Sequence, residues 1–166
     1  MDPLTTSQPT LADLLTIESS ASIFFSYARE TQLSALFSQE GARNTVLVPT
    51  NKAVMALARK PHQGPERGGL ESGIEISEQE FDEKSKRNVE NWVSAHIIPI
   101  SPIKIADTSY RTMLDGKSVA VKLEGREEDG KPDWSRAVID GNVHIIGKRE
   151  GLNGVLYLVD ETIKYE

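Results

Sequence analysis

Cysteine is absent from all 166 residues, which excludes disulfides, thiolate nucleophiles and cysteine metal sites. That absence does not fix the compartment, because a chain with 38% hydrophobic residues can build a core without bridges. Basic residues are also scarce, 19 against 25 acidic. The resulting formal charge of −6 repels phosphate backbones, so nucleic acid is not an expected partner. No run approaches the ~18 apolar residues of a membrane span, and Met1 to Pro9 lacks the charged-then-apolar order of a signal peptide. No Asn-x-Ser/Thr sequon occurs either. The length suits one domain, expected over residues 10–166 behind a flexible lead-in of residues 1–9.

Helix signals dominate the first third. Thr10 with Asp13 three residues on caps a short helix whose apolar face is Leu11, Leu14 and Leu15. Ile23, Phe24 and Tyr27 suggest a second helix, and Thr31 opens a third that buries Leu33, Leu36 and Phe37 and stops at Gly41. A further helix is expected from Asn51 to about Lys60, burying Val54, Leu57 and Ala58. Two prolines and three glycines between Pro61 and Gly69 then disfavour both helix and ladder, so residues 59–76 read as an exposed loop insertion. Ser77 with Glu80 forms a capping box. Val89, Trp92, Val93, His96 and Ile97 follow at helical spacing before Pro99.

From Ile103 the period changes to two. Ile103 and Ile105 alternate with charged or small residues, and Asp115-Gly116 joins Tyr110–Leu114 to Lys117–Leu123 as a hairpin. Asp140-Gly141 joins a strand around Trp134–Ile139 to another over Asn142–Ile146. Helices followed by antiparallel strands make an α+β plan.

Two boxes about a hundred residues apart stand out from this background. Thr45-Val46-Leu47-Val48-Pro49-Thr50-Asn51-Lys52-Ala53-Val54 reads as a buried strand that stops at Pro49 and launches a helix capped by Thr50. Asn51 is expected to satisfy the backbone of that turn. Asn153-Gly154-Val155-Leu156-Tyr157-Leu158-Val159-Asp160 reads as a turn feeding an apolar strand. These sequences resemble the two signature boxes of fasciclin-like domains, and Ala95-His96-Ile97-Ile98-Pro99 between them resembles the family's third marker. The resemblance spans about Thr10 to Ile163, and the long insertion after the first box looks like fungal members. It implies a β-wedge of about seven mostly antiparallel strands with an N-terminal helical layer, used for adhesion and, in some branches, ligand binding, with no general enzymatic activity. Thr45, Pro49, Thr50, Asn51, His96, Asn153, Gly154 and Asp160 are its structural motif residues here. The chain departs from the family pattern in three places. Ala95 stands where the family has Tyr, Tyr157 replaces a usual His, and Lys148-Arg149-Glu150 occupies the place of the Asp-Ile pair implicated in integrin recognition.

No residue group composes a catalytic centre, and no catalytic, metal or cofactor residue is expected. The chain has no Gly-x-Ser-x-Gly elbow, and its three histidines show no paired metal spacing. Gly125 to Pro132 nearly matches a phosphate-binding loop, but Pro132 replaces the required hydroxyl and three carboxylates occupy the loop, which therefore reads as an acidic hairpin loop. The expected function is a non-catalytic interaction domain, secreted, at the cell surface or vacuolar, with a signal peptide removed ahead of Met1; the alternative is a cytoplasmic protein. It would contact a protein or glycan through surface loops bearing Lys148, Arg149, Glu150, His62 and Arg67. An alternative is a small apolar-ligand module, for a lipid or haem-like molecule, with a pocket at His96, Trp92 and Tyr157. His96 is otherwise a satisfied core histidine.

Overall fold

A computed structural model describes residues 8–65 and 77–165. The two boxes supply the centre of its sheet. β1 (Asn44–Pro49) and β7 (Gly154–Val159) run parallel, in register from Asn44 opposite Gly154 to Pro49 opposite Val159. Both strands are buried along their whole length, which explains why neither alternates in polarity. Val46, Val48, Leu156 and Leu158 face a helical layer, while Leu47, Val155, Tyr157 and Val159 face a second core on the opposite side.

Five further strands complete the sheet: β2 (Ile97–Ile98), β3 (Thr108–Arg111), β4 (Ser118–Leu123), β5 (Ala137–Ile139) and β6 (Val143–Gly151). Their order is β2-β1-β7-β6-β5-β4-β3, and every pairing except β1 with β7 is antiparallel. The seven-stranded α+β plan is therefore as expected. Val119 and Val121 of β4 share the second core with Leu47 of β1, so the sheet curls around that core. Asp140 and Gly141 both take positive φ between β5 and β6, as the Asp-Gly pair predicts.

The helical layer consists of α1 (Leu11–Ile17), α2 (Ser22–Ala28), α3 (Asn51–Met55) and α4 (Glu78–Ser94). Thr10 and Asp13 cap α1 reciprocally, and Leu11, Leu14 and Leu15 are buried as its spacing requires. Phe24 of α2 meets Trp92 of α4, with ring centroids 5.5 Å apart, at the middle of this core.

Several boundaries differ from the sequence reading. The third expected helix is a 3-10 stretch, Gln32–Phe37. α3 stops at Met55 instead of reaching Lys60, because Lys60 Nζ donates to the Met55 and Leu57 carbonyls and closes the end, leaving Ala58 exposed. α4 ends at Ser94, so His96 lies beyond the helix; the His96 carbonyl accepts from Leu47 N–H at 2.8 Å, and sheet pairing takes over. Ile103 and Ile105 form no strand, because the Tyr110 hydroxyl binds both the N–H and the carbonyl of Lys104 between them. Trp134 sits in a 3-10 turn, Asp133–Arg136, ahead of the shorter β5. The described part of the expected exposed insertion is packed down. Pro61 and Gly64 are buried, and Asn88 of α4 donates to the His62 carbonyl at 2.9 Å.

Candidate functional site

The motif residues that look most chemical are consumed by the interior. Asn153 is fully buried: its Oδ1 accepts from Leu11 N–H at 2.9 Å, while Nδ2 donates to the Phe37 and Gln39 carbonyls at 2.9 and 3.0 Å. One side chain thus joins the start of α1, the end of the 3-10 stretch and the entry to β7. Gly154 beside it lies so close to β1 that a Cβ would stand 2.0 Å from the Asn44 carbonyl oxygen.

Asn51 corrects its expected local role. Its Oδ1 accepts from Ile23 N–H at 2.9 Å and its Nδ2 donates to the Ser19 carbonyl and Ser22 Oγ, so it pins α3 to the start of α2 some thirty residues away. Thr50 caps α3 through Ala53 N–H, and its own N–H donates to Val159 where Pro49 ends the ladder. Thr45 Oγ1 donates to the Ile100 carbonyl, and Asp160 Oδ1 accepts from His144 N–H.

His96, Trp92 and Tyr157 do not compose a ligand pocket. The His96 ring is 0% exposed, with Nδ1 2.7 Å from the Trp92 carbonyl and Nε2 accepting from Ile163 N–H at 3.0 Å. These partners fix a neutral ring with its proton on Nδ1 and leave no nitrogen for a ligand. Burial, opposed only partly by the Trp92 carbonyl, lowers the His96 pKa to about 4. Trp92 meets His96 at a tilt of 54° on the helical side, with centroids 4.8 Å apart, whereas Tyr157 belongs to the core on the other face. Burial, helped by Asp133 and Glu150, pushes the Tyr157 phenol up to about 12.

Lys148, Arg149 and Glu150 lie within β6 rather than on a loop. Strand alternation sends them to opposite faces: Lys148 and Glu150 pair with Tyr157 and Val155, while Arg149 pairs with Leu156 on the helical side. Their ion pairs follow the same split, Lys148 with Glu150 and Arg149 with Glu18, each at 3.3 Å. The triplet therefore cannot act as one patch. Arg67 lies outside the described residues.

His62 does reach a cleft. The packed turn holds it beside α4 and the 3-10 stretch, on the rim of a depression of about 450 Å³ lined also by Tyr27, Glu30, Gln32, Lys86 and Glu90. Burial and the neighbouring Glu30 raise the Tyr27 pKa. Charges of both signs, from Glu30, Glu90 and Lys86, line it together with the buried Val89. The residues opposite His62 were not legible as a site; Lys86 and Glu90 flank Val89 on one helix, but only tertiary packing brings Tyr27 and Glu30 to them. Among the described residues no group of three His, Asp or Glu side chains comes together to hold a metal.

A sheet with one central parallel pair, a helical layer on one face and its motif polar groups turned inward defines a structural scaffold that presents surfaces. Comparison with known proteins gives the family. A sequence profile of the Fasciclin domain matches residues 19–165, and the chain belongs to that family. A FAS1 domain-containing protein of Aspergillus fumigatus is 29% identical over 161 residues, covering 95% of this chain and 64% of its own length. One from Candida glabrata is 25% identical over 150 residues, covering 85% of this chain and 59% of its own. The chain thus spans about three-fifths of the length of these curated relatives. A solved FAS1 domain pair from the insect cell adhesion molecule fasciclin I superposes with a TM-score of 0.62 at 13% identity, covering 96% of this chain and 52% of that one. That likeness shows the fold alone. Fasciclin domains generally serve adhesion or interaction, are generally not enzymes, and typically occur in extracellular or cell-surface proteins. Among the described residues no helix is long and apolar enough to cross a membrane.

Proposed function

We propose that this domain is a non-catalytic interaction module, working at a cell surface, wall or vacuolar compartment, that holds a protein or glycan partner at its surface. The observation that carries this reading is the contrast in how polar groups are used. Asn51, Asn153 and His96 are spent on internal hydrogen bonds, whereas His62, Lys86 and Glu90 line an open cleft. A protein segment is the occupant that this mixed-charge cleft fits best. Crosslinking of the endogenous full-length protein, with and without Lys86→Glu and His62→Ala, tests it. Loss of the crosslinked partner in both variants, with the melting temperature kept, is expected. Unchanged partners would remove the cleft, and a purely cytosolic location of the full-length protein would remove the exported setting.

A further inference from the structure

The far end of the sheet carries a second depression, of about 580 Å³, that the cleft at His62 does not involve. It lies between the Gly125–Pro132 loop, the 3-10 turn holding Trp134, and the paired residues Val138 of β5 and His144 of β6. Its lip is the loop that resembles a phosphate-binding motif in sequence and lacks the means to act as one. The Trp134 indole is half-buried against the second core, and its N–H makes no hydrogen bond among the described residues. Around it stand side chains with unused capacity. Arg126 has no ion pair or hydrogen bond among the described residues, and the Glu124 carboxylate has none. Arg136 spends one donor on the Gly125 carbonyl, at 3.3 Å. Lys131 and Glu128 neutralise each other at 2.8 Å.

This lining selects its ligand by chemistry. The indole and Val138 together give the depression an apolar lining that suits a surface about one ring wide, and the guanidinium donors and carboxylate acceptor around it ask for hydroxyl groups. A lipid would strand the charged rim without partners, and a polyanion would meet Glu124 within a chain of formal charge −6. A pyranose ring satisfies both demands, with one C–H face to lay on the indole and equatorial hydroxyls that both donate and accept. We infer that the Trp134 groove binds a pyranose oligosaccharide, with the sugar ring stacked on the indole and its hydroxyls held by Arg126, Arg136 and Glu124.

Nitrogen-15 NMR of the whole chain reads this directly, because its two tryptophans give two indole N–H signals and Trp134→Phe identifies which belongs to the groove. Soluble oligomers of β-1,3-linked glucose, α-linked mannose and β-1,4-linked N-acetylglucosamine serve as probes, beside a polyuronate and heparin. At least one neutral oligomer should shift the Trp134 indole signal and leave the buried Trp92 signal in place. Trp134→Ala should weaken that binding about tenfold or more. Trp134→Phe should retain part of it, and Arg126→Ala, at an exposed position, should weaken it several-fold without moving the melting temperature. No shift with any neutral probe at millimolar concentration would overturn the inference. So would binding that survives both Trp134→Ala and Arg126→Ala, or a response confined to the polyanions and abolished by salt.

Discussion

The centre of the sheet and its far end treat polar side chains in opposite ways. At β1 and β7 both faces are buried, and a polar group there persists only where hydrogen bonds replace the water it has lost. Asn153 fulfils this with three strong bonds and His96, just ahead of β2, with one at each ring nitrogen; the half-buried Asn51 of α3 also makes three. At the end around Trp134, the curled sheet leaves one side open, and Arg126 and Glu124 keep hydrogen-bonding capacity that the fold does not use. Residues that look like a site in sequence are therefore structural at the centre, and residues in and beside the Gly125–Pro132 loop keep polar groups the fold does not use.

Breaking the central region should have the largest effects. Gly154→Ala drives a methyl group into the Asn44 carbonyl of the neighbouring strand, where no flexible side chain can yield, so a loss of at least about 4 kcal/mol or failure to fold is expected in denaturant titrations. Asn153→Ala comes next. It leaves the Leu11 N–H and the Phe37 carbonyl unpaired in the core, while the Gln39 carbonyl keeps its bond from Ala42 N–H, at a cost of about 4 kcal/mol. Asn153→Asp should recover only the Leu11 bond, since a carboxylate cannot donate.

The His96 ring sharpens the comparison through pH. Its folded pKa of about 4 lies below the usual 6.5, so the unfolded chain takes up the proton first as pH falls. The stabilisation is full above pH 6.5 and drains away between 6.5 and about 4, by about 3 kcal/mol in all. Thermal unfolding across that window should show the slope in the native chain and its loss in His96→Gln, a variant that also tests how much the two bonds are worth. The smallest effect belongs to the surface of β6. Arg149→Ala removes a half-exposed ion pair with Glu18 and should cost less than about 1 kcal/mol.

How much of this was legible in the chain depended on whether the signal was local. The strands of both boxes, the Thr10 cap and the Asp140-Gly141 turn follow from short-range rules, and each stands where its residues predict. The family boxes carried the arrangement of the sheet, which no periodicity would have given, since the parallel pairing joins residues more than a hundred positions apart. Lys148 to Glu150 read as a loop in sequence because three charged residues in a row resemble one until their register is known; pairing with Tyr157, Leu156 and Val155 makes them a strand with two faces. Asn51 looked local because its partners, Ile23, Ser19 and Ser22, come from a helix packed against its own. Neither cleft was visible: the one at His62 joins three segments far apart in sequence, the one at Trp134 depends on how residues 124–144 fold back on one another, and Tyr27 and Trp134 each resemble any core aromatic.

Polar residues are spent at the centre and free around Trp134, and thermal unfolding of two single variants tests that division most directly. Asn153→Ala should lower the melting temperature by about 10 °C, whereas Arg126→Ala should leave it within experimental error. Equal shifts, or a larger shift for Arg126→Ala, would contradict the division between the two regions.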